Sequence, residues 1–270
     1  MSTSGVNIIR PSLIWGLTEG HRALVELTTY FPYRMISKIP NDGDGHPVLI
    51  LPGFLSTDKS TIPLRSFIDN LGYSVYGWGS GRNLGELEML DEMIKKVEYL
   101  YQHHGMKVTL IGWSLGGIFA RQIAKARPNM IRQKITLGSP FKGVTQANNA
   151  KWIFDIINKK TGRTFDEEFL HDIPHPAPIP TTAIYSKEDG VVPWRLCLEQ
   201  TENDIHQNIQ VRGSHLGLGV NPSVLIVIAD RLRLIEENWY HFKPKGFIQK
   251  KFYPSLIKQD KKDPAVKNKK

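Results

Sequence analysis

Cysteine is nearly missing from this 270-residue sequence. Cys197 stands alone, so no disulfide can close within the chain, which suits a reducing compartment. Long apolar runs are missing as well. The longest, Val224 to Ala229, has six residues, against the roughly 20 that a membrane-spanning helix needs. Met1 to Asn7 holds no basic residue, and Arg10 and Pro11 interrupt the apolar stretch from Ile8 to Leu17, so the pattern of a secretory signal peptide is not there. The expectation is a soluble, cytoplasmic protein, peripheral at a membrane at most. Asn41-Asp42-Gly43-Asp44-Gly45 opens like a calcium loop, but no glutamate falls at the required distance. It reads as a turn, and no metal site is expected.

What is present is ordinary for a globular chain: 40% hydrophobic and 23% charged residues, long enough for one α/β domain with a full core. The formal net charge is +9, and its placement says more than its size. Ten lysines and two aspartates between Lys243 and Lys270 account for +8 of it. The division that follows is a domain over residues 1–242 and a solvated, flexible tail over 243–270. Such a tail can attract anionic membranes. Nucleic acid is not expected, because no basic residues are interleaved with a recognition helix.

Residues 8–36 show a broken helical pattern, with Leu13, Leu17, Leu24, Leu27 and Phe31 recurring near helical spacing. A helix laid beside a sheet is the favoured reading, since Glu19 and Glu26 weaken a membrane-surface one. Strands are expected at His46–Leu51, Tyr73–Trp78, Val108–Ile111, Lys134–Leu137, Thr181–Ser186 and Asn208–Val211. Helices are expected at about Glu88–His104, after Ser114, and from Pro222 to about Tyr240 with Asn221 as N-cap. Strand and helix alternate, which implies a mainly parallel central sheet flanked by helices. Between Phe141 and Pro180 the rhythm breaks, and residues 141–180 read as a small helical cap. Trp152, Ile153, Phe154, Ile156 and Ile157 would line an apolar acyl site there, with Trp113 beside the nucleophile.

The chemistry centres on Val108-Thr109-Leu110-Ile111-Gly112-Trp113-Ser114-Leu115-Gly116-Gly117. A buried strand runs into a glycine-pinched turn and then a helix, so the serine hydroxyl stands clear at the apex. A serine hydroxyl needs a base to take its proton, and the base needs an acid to orient it. In folds with such an elbow, acid and then base follow the serine, each on a loop after a strand. Asp189, in Ser186-Lys187-Glu188-Asp189-Gly190, is the candidate acid, with Glu188 the neighbour best able to replace it. His215, among small residues in Gly213-Ser214-His215-Leu216-Gly217, is the candidate base. Two backbone donors are expected for an oxyanion: the N–H of Leu115 and that of Phe54, in the loop after the strand ending at Leu51.

Together, Leu51-Pro52-Gly53-Phe54, the Gly112–Gly117 turn, Gly138-Ser139-Pro140, Ser186–Gly190 and Ser214-His215-Leu216 resemble the bacterial lipase and esterase branch of the α/β-hydrolase superfamily. The ordered matches run from about His46 to Asn238. The chain departs from many lipases in having Pro52 where they carry histidine. The resemblance implies cleavage of carboxylic esters of apolar acyl chains through an acyl-enzyme, without a cofactor. An acyltransferase or thioesterase using the same residues is the alternative, and a non-catalytic binding module the third reading.

Overall fold

Alternation of apolar residues along short strands decides how this chain layers. The computed structural model describes residues 11–36, 39–142, 167–200 and 202–254. Six strands, β1 (Pro47–Leu51), β2 (Ser74–Gly77), β3 (Val108–Trp113), β4 (Ile131–Leu137), β5 (Thr181–Ser186) and β6 (His206–Val211), form one sheet. The order is β2-β1-β3-β4-β5-β6 and every pairing is parallel. Parallel strands need covered faces, and both sides of β1 and β3 are fully buried.

Helices are α1 (Leu13–Ile36), α2 (Ile62–Asp69), α3 (Glu88–His104), α4 (Leu115–Ala126), α5 (Glu167–Asp172), α6 (Pro222–Leu232) and α7 (Gly246–Phe252). Val48, Ile50, Ile111 and Trp113 face one way, into a core shared with α2 and α6. Leu49, Leu51 and Leu110 face the other, against α3 and α4. From β1 the chain steps outward to β2, then crosses back to place β3 on β1's other side. That reversal point, at the carboxyl ends of β1 and β3, is where open α/β sheets leave a crevice.

Three boundaries differ from expectation. The helix opening at Pro222 ends at Leu232 and not near Tyr240. Arg231, fully buried, donates to the Tyr240 carbonyl and lies 5.4 Å from the Trp239 ring, which turns the chain back on itself. β6 starts at His206, so that histidine belongs to the strand. The body also extends past 242: Tyr253 is buried, its hydroxyl donating to the Ser223 carbonyl at 2.8 Å. Residues 255–270 and the expected cap residues Trp152, Ile153, Phe154, Ile156 and Ile157 lie outside the described residues.

The largest correction concerns α1. Its expected packing stripe points outward: Leu13, Leu17, Leu24 and Phe31 are 84%, 87%, 59% and 60% exposed. Of the five, Leu27 alone packs on the core. Glu19 is buried instead, at 4% exposure. Backbone amides elsewhere in the chain need acceptors, and this helix supplies them from the face that the apolar pattern assigned to solvent. Among the described residues no helix is long and apolar enough to cross a membrane.

Candidate active site

At the end of β3 the backbone takes a conformation that side chains normally avoid. Ser114 has φ 52° and ψ −121°, and its N–H donates to the Leu137 carbonyl at 2.8 Å. That bond pins the turn to the neighbouring strand β4. A Cβ on Gly116 would run into the Leu51 carbonyl, and one on Gly112 into the backbone of Gly117. The glycines therefore let α4 start hard against β1 and β3. Ser114 is partly exposed while Leu115 is buried. As the first residue of α4, Leu115 presents an amide with no intrahelical acceptor, at the positive end of the helix dipole.

The loop after β1 meets the elbow directly. A Cβ on Gly53 would lie 3.3 Å from Ser114 Cβ and 4.0 Å from its Oγ. Phe54 follows, packed with Leu115, Ile118, Phe141, Phe169 and Leu170. Leu55 then adopts φ 60°. Among the described residues, Leu55 and Ser114 are the two non-glycine positions with positive φ, each costing about 1–3 kcal/mol that the surroundings must offset. The surroundings of Leu55 are supplied by Asn83. This fully buried residue accepts from the Leu55 N–H at 2.7 Å and donates its own N–H to Ser56 O at 2.8 Å. Its side-chain amide donates to Pro52 O at 2.7 Å. Its Oδ1 accepts from the Gly85 N–H at 3.0 Å.

Asp189 follows β5 and is 3% exposed. Its Oδ1 accepts the N–H groups of Val191 and Val192 at 2.8 and 2.6 Å. Its Oδ2 lies 2.6 Å from Nδ1 of His215. The carboxylate in contact with His215 is thus that of Asp189, while the half-buried Glu188 donates its N–H to Ser186 Oγ at 3.0 Å. His215 follows β6 at 4% exposure, and the tautomer assigned from this bond has the proton on Nδ1, leaving Nε2 as the basic atom. Burial alone would lower the imidazole pKa. The charge and hydrogen bond of Asp189, with the charge of Glu19 behind them, raise it above its ordinary value.

The Ser114 turn and the Asp189–His215 pair both border the end of β4. A Cβ on Gly138 would stand 3.0 Å from His215 Nδ1 and 3.2 Å from Asp189 Oδ2. Gly138 directly follows Leu137, whose carbonyl holds the Ser114 amide. The Gly138 N–H in turn donates to Ile184 O of β5 at 2.9 Å. Four other histidines are engaged elsewhere: His206 with Ala177 O, His241 with Asn203 O, and His171 against His175. Cys197 is buried, and burial pushes its thiol pKa up.

Three contributions were not foreseen. Trp113, expected beside a substrate, is 8% exposed and donates its indole N–H to the His215 carbonyl at 3.1 Å, so it supports the base's loop from below. Asn83 gave no sequence signal beyond an asparagine in a glycine-rich loop. Glu19 and Glu26 tie α1 to both loops. Glu19 accepts from Gly190, His215 and Leu216 amides at 2.6, 3.1 and 3.2 Å. Glu26 accepts from the Ser214 N–H at 2.7 Å. Arg22 closes this arrangement at 3.0 Å from Glu19.

By sequence the chain matches no curated protein. A family model described as the PGAP1-like alpha/beta domain matches residues 56–173, a span that includes Ser114 and stops before Asp189 and His215. Among solved structures the chain is similar to lipase B of Aspergillus fumigatus, at 17% identity and TM-score 0.56, covering 73% of this chain and 54% of that one. It thus spans about half the length of that lipase. It is similar also to one of the metagenome-derived lipolytic enzymes LipS and LipT, at 15% identity and TM-score 0.50, covering 70% and 92%. A monoacylglycerol lipase of Paleococcus ferrophilus shares 13% identity at TM-score 0.49, over 72% and 95%. At such identities what is shared is the fold.

Proposed function

We propose that this chain, which has the α/β-hydrolase fold, is a serine hydrolase cleaving carboxylic esters of apolar acyl chains. Ser114 Oγ attacks the acyl carbonyl while His215 Nε2 takes its proton. Asp189 holds the imidazolium that forms, and the Phe54 and Leu115 N–H groups receive the negative oxygen. A donor of that kind typically contributes about 10²–10³-fold in rate. The tetrahedral intermediate collapses, His215 returns the proton to the departing alcohol, and the acyl group remains on Ser114. Water then attacks the acyl-enzyme under the same base and restores the serine. No step needs a cofactor. Beside the elbow the partly buried Phe54, Phe169 and Leu170 pack on the buried Leu115, Ile118 and Phe141, an apolar surface suited to an acyl chain.

The observation that carries this reading is the 2.6 Å Asp189–His215 contact, set beside the strand end that holds the Ser114 turn. Ser114→Ala should lower turnover of p-nitrophenyl esters by about 10⁴-fold or more, and undiminished turnover would end the assignment. A chain-length series of ester and thioester substrates, with an added alcohol competing against water, separates hydrolysis from acyl transfer. A cytoplasmic setting is part of the proposal, resting on the single cysteine.

A further inference from the structure

Among the described side chains of α1, no exposed one is an aspartate, glutamate, lysine or arginine. The helix is 24 residues long, hence ~36 Å. Leu13, Leu17, Leu24, Phe31 and Met35 fall within an arc of ~40° at helical spacing, and Met35 is 87% exposed. The helix is therefore turned inside out relative to an ordinary surface helix, which keeps its apolar stripe on the core. Its carboxylates cannot be turned back outward, because Glu19 and Glu26 are bonded to the loops carrying Asp189 and His215.

We propose that the outward face of α1 docks on an anionic phospholipid bilayer, lying in the plane of the headgroups with the candidate active site at the same rim. Charge complementarity selects this occupant. The stripe offers no carboxylate to repel an anionic surface. Cations stand at its far end, where Tyr33 of α1 shares a cleft with Lys243, Lys245 and Arg233 against one carboxylate, Asp230, and where Arg233 pairs with Asp42 at 3.0 Å. Residues 255–270 add six lysines against two aspartates. Apolar residues that enter the acyl boundary, combined with neighbouring cations, are what interfacial binding needs. A second copy of the chain is disfavoured by the same charges, since pairing through this face would bring two +9 chains together.

Sedimentation with vesicles tests it, using the full chain and, in parallel, its Ser114→Ala form, so that the outcome does not depend on the hydrolase reading. Binding is expected to vesicles of phosphatidylcholine with 30% phosphatidylglycerol and to weaken several-fold with phosphatidylcholine alone or at high salt. Leu17→Ser and Leu24→Ser should each weaken it on the order of tenfold, with melting temperature and turnover of a soluble short-chain ester retained. Removing residues 255–270 should abolish most of the salt dependence and leave weak binding through the stripe. No binding by the intact chain, or unchanged binding by the Leu17→Ser/Leu24→Ser double variant, would overturn the proposal. So would a dimer in sedimentation velocity that the double variant converts to monomer.

Discussion

The two sides of the candidate site are held by different physics. The Ser114 side is built by backbone: glycine-permitted close packing, the Ser114–Leu137 bond and the Asn83 clamp on the loop after β1 all lie between residues 51 and 138. The Asp189–His215 side is held by side chains that come from far away. Glu19 reaches amides 171, 196 and 197 positions further along, and Glu26 reaches one 188 positions away. The difference teaches that the serine's geometry is fixed locally, whereas the imidazole's position and basicity depend on a helix outside the sheet.

The largest expected effect strikes where the sides meet. Asp189→Asn leaves the turn bonds to Val191 and Val192 available but holds the wrong imidazole tautomer, so kcat should fall about 10⁴-fold. A fluorophosphonate should then label Ser114 far more slowly. If labelling kept its rate, the acid and base would not act on this serine.

Asn83→Ala and Glu19→Gln sharpen the comparison. Each removes a buried partner worth about 1–3 kcal/mol, a loss of ~10- to 100-fold in kcat/KM if it is felt at the transition state. Their pH profiles should separate them. The Glu19 charge raises the pKa of His215, and the base works only when neutral, so activity is lost as pH falls through that pKa. Removing the charge lowers it, and the acid limb of Glu19→Gln should move to lower pH. Asn83→Ala should lower the plateau with the limb in place. Identical limbs would mean that the two sides are not distinct.

Glu26→Gln should have the smallest effect. Burial leads in raising the Glu26 pKa above its usual value, with the Ser214 bonds opposing. Its ionised form is thus disfavoured in the fold relative to the unfolded chain. That cost is fully present above the raised pKa, fades as pH falls from there towards the unfolded value of 4.5, and is absent below it. Glutamine keeps an acceptor for Ser214 and escapes the cost. Glu26→Gln should therefore melt at or slightly above the parent temperature at pH 8, and lose that advantage near pH 4.

Much of the frame could be read directly from residue patterns. α3 begins at Glu88 and ends at His104 before Gly105 in a left-handed turn, as apolar spacing and a stop glycine predict. Ser114, Asp189 and His215 each follow a strand, because strand ends followed by small residues leave a local signature. The orientation of α1 had none. Helical periodicity says that an apolar stripe exists, not that the opposite face holds the acceptors that distant amides need. Asn83 was hidden for a similar reason, since its partners, Pro52, Leu55 and Ser56, sit on a loop whose strain shows only in its φ angles. The early end of α6 depends on Arg231 finding a carbonyl eight residues after Leu232, a contact that windowed spacing does not see.

α1 supports both loops although it precedes them by far along the chain. Its glutamates must wait until residues 190 and 214–216 have been synthesised before they find their amides, and such sequence-distant pairings form late. A nascent chain halted after β4 would already own its bent serine yet have no base beside it. The candidate site would thus assemble in two stages, the serine turn first and the Asp189–His215 pair with its glutamate supports second.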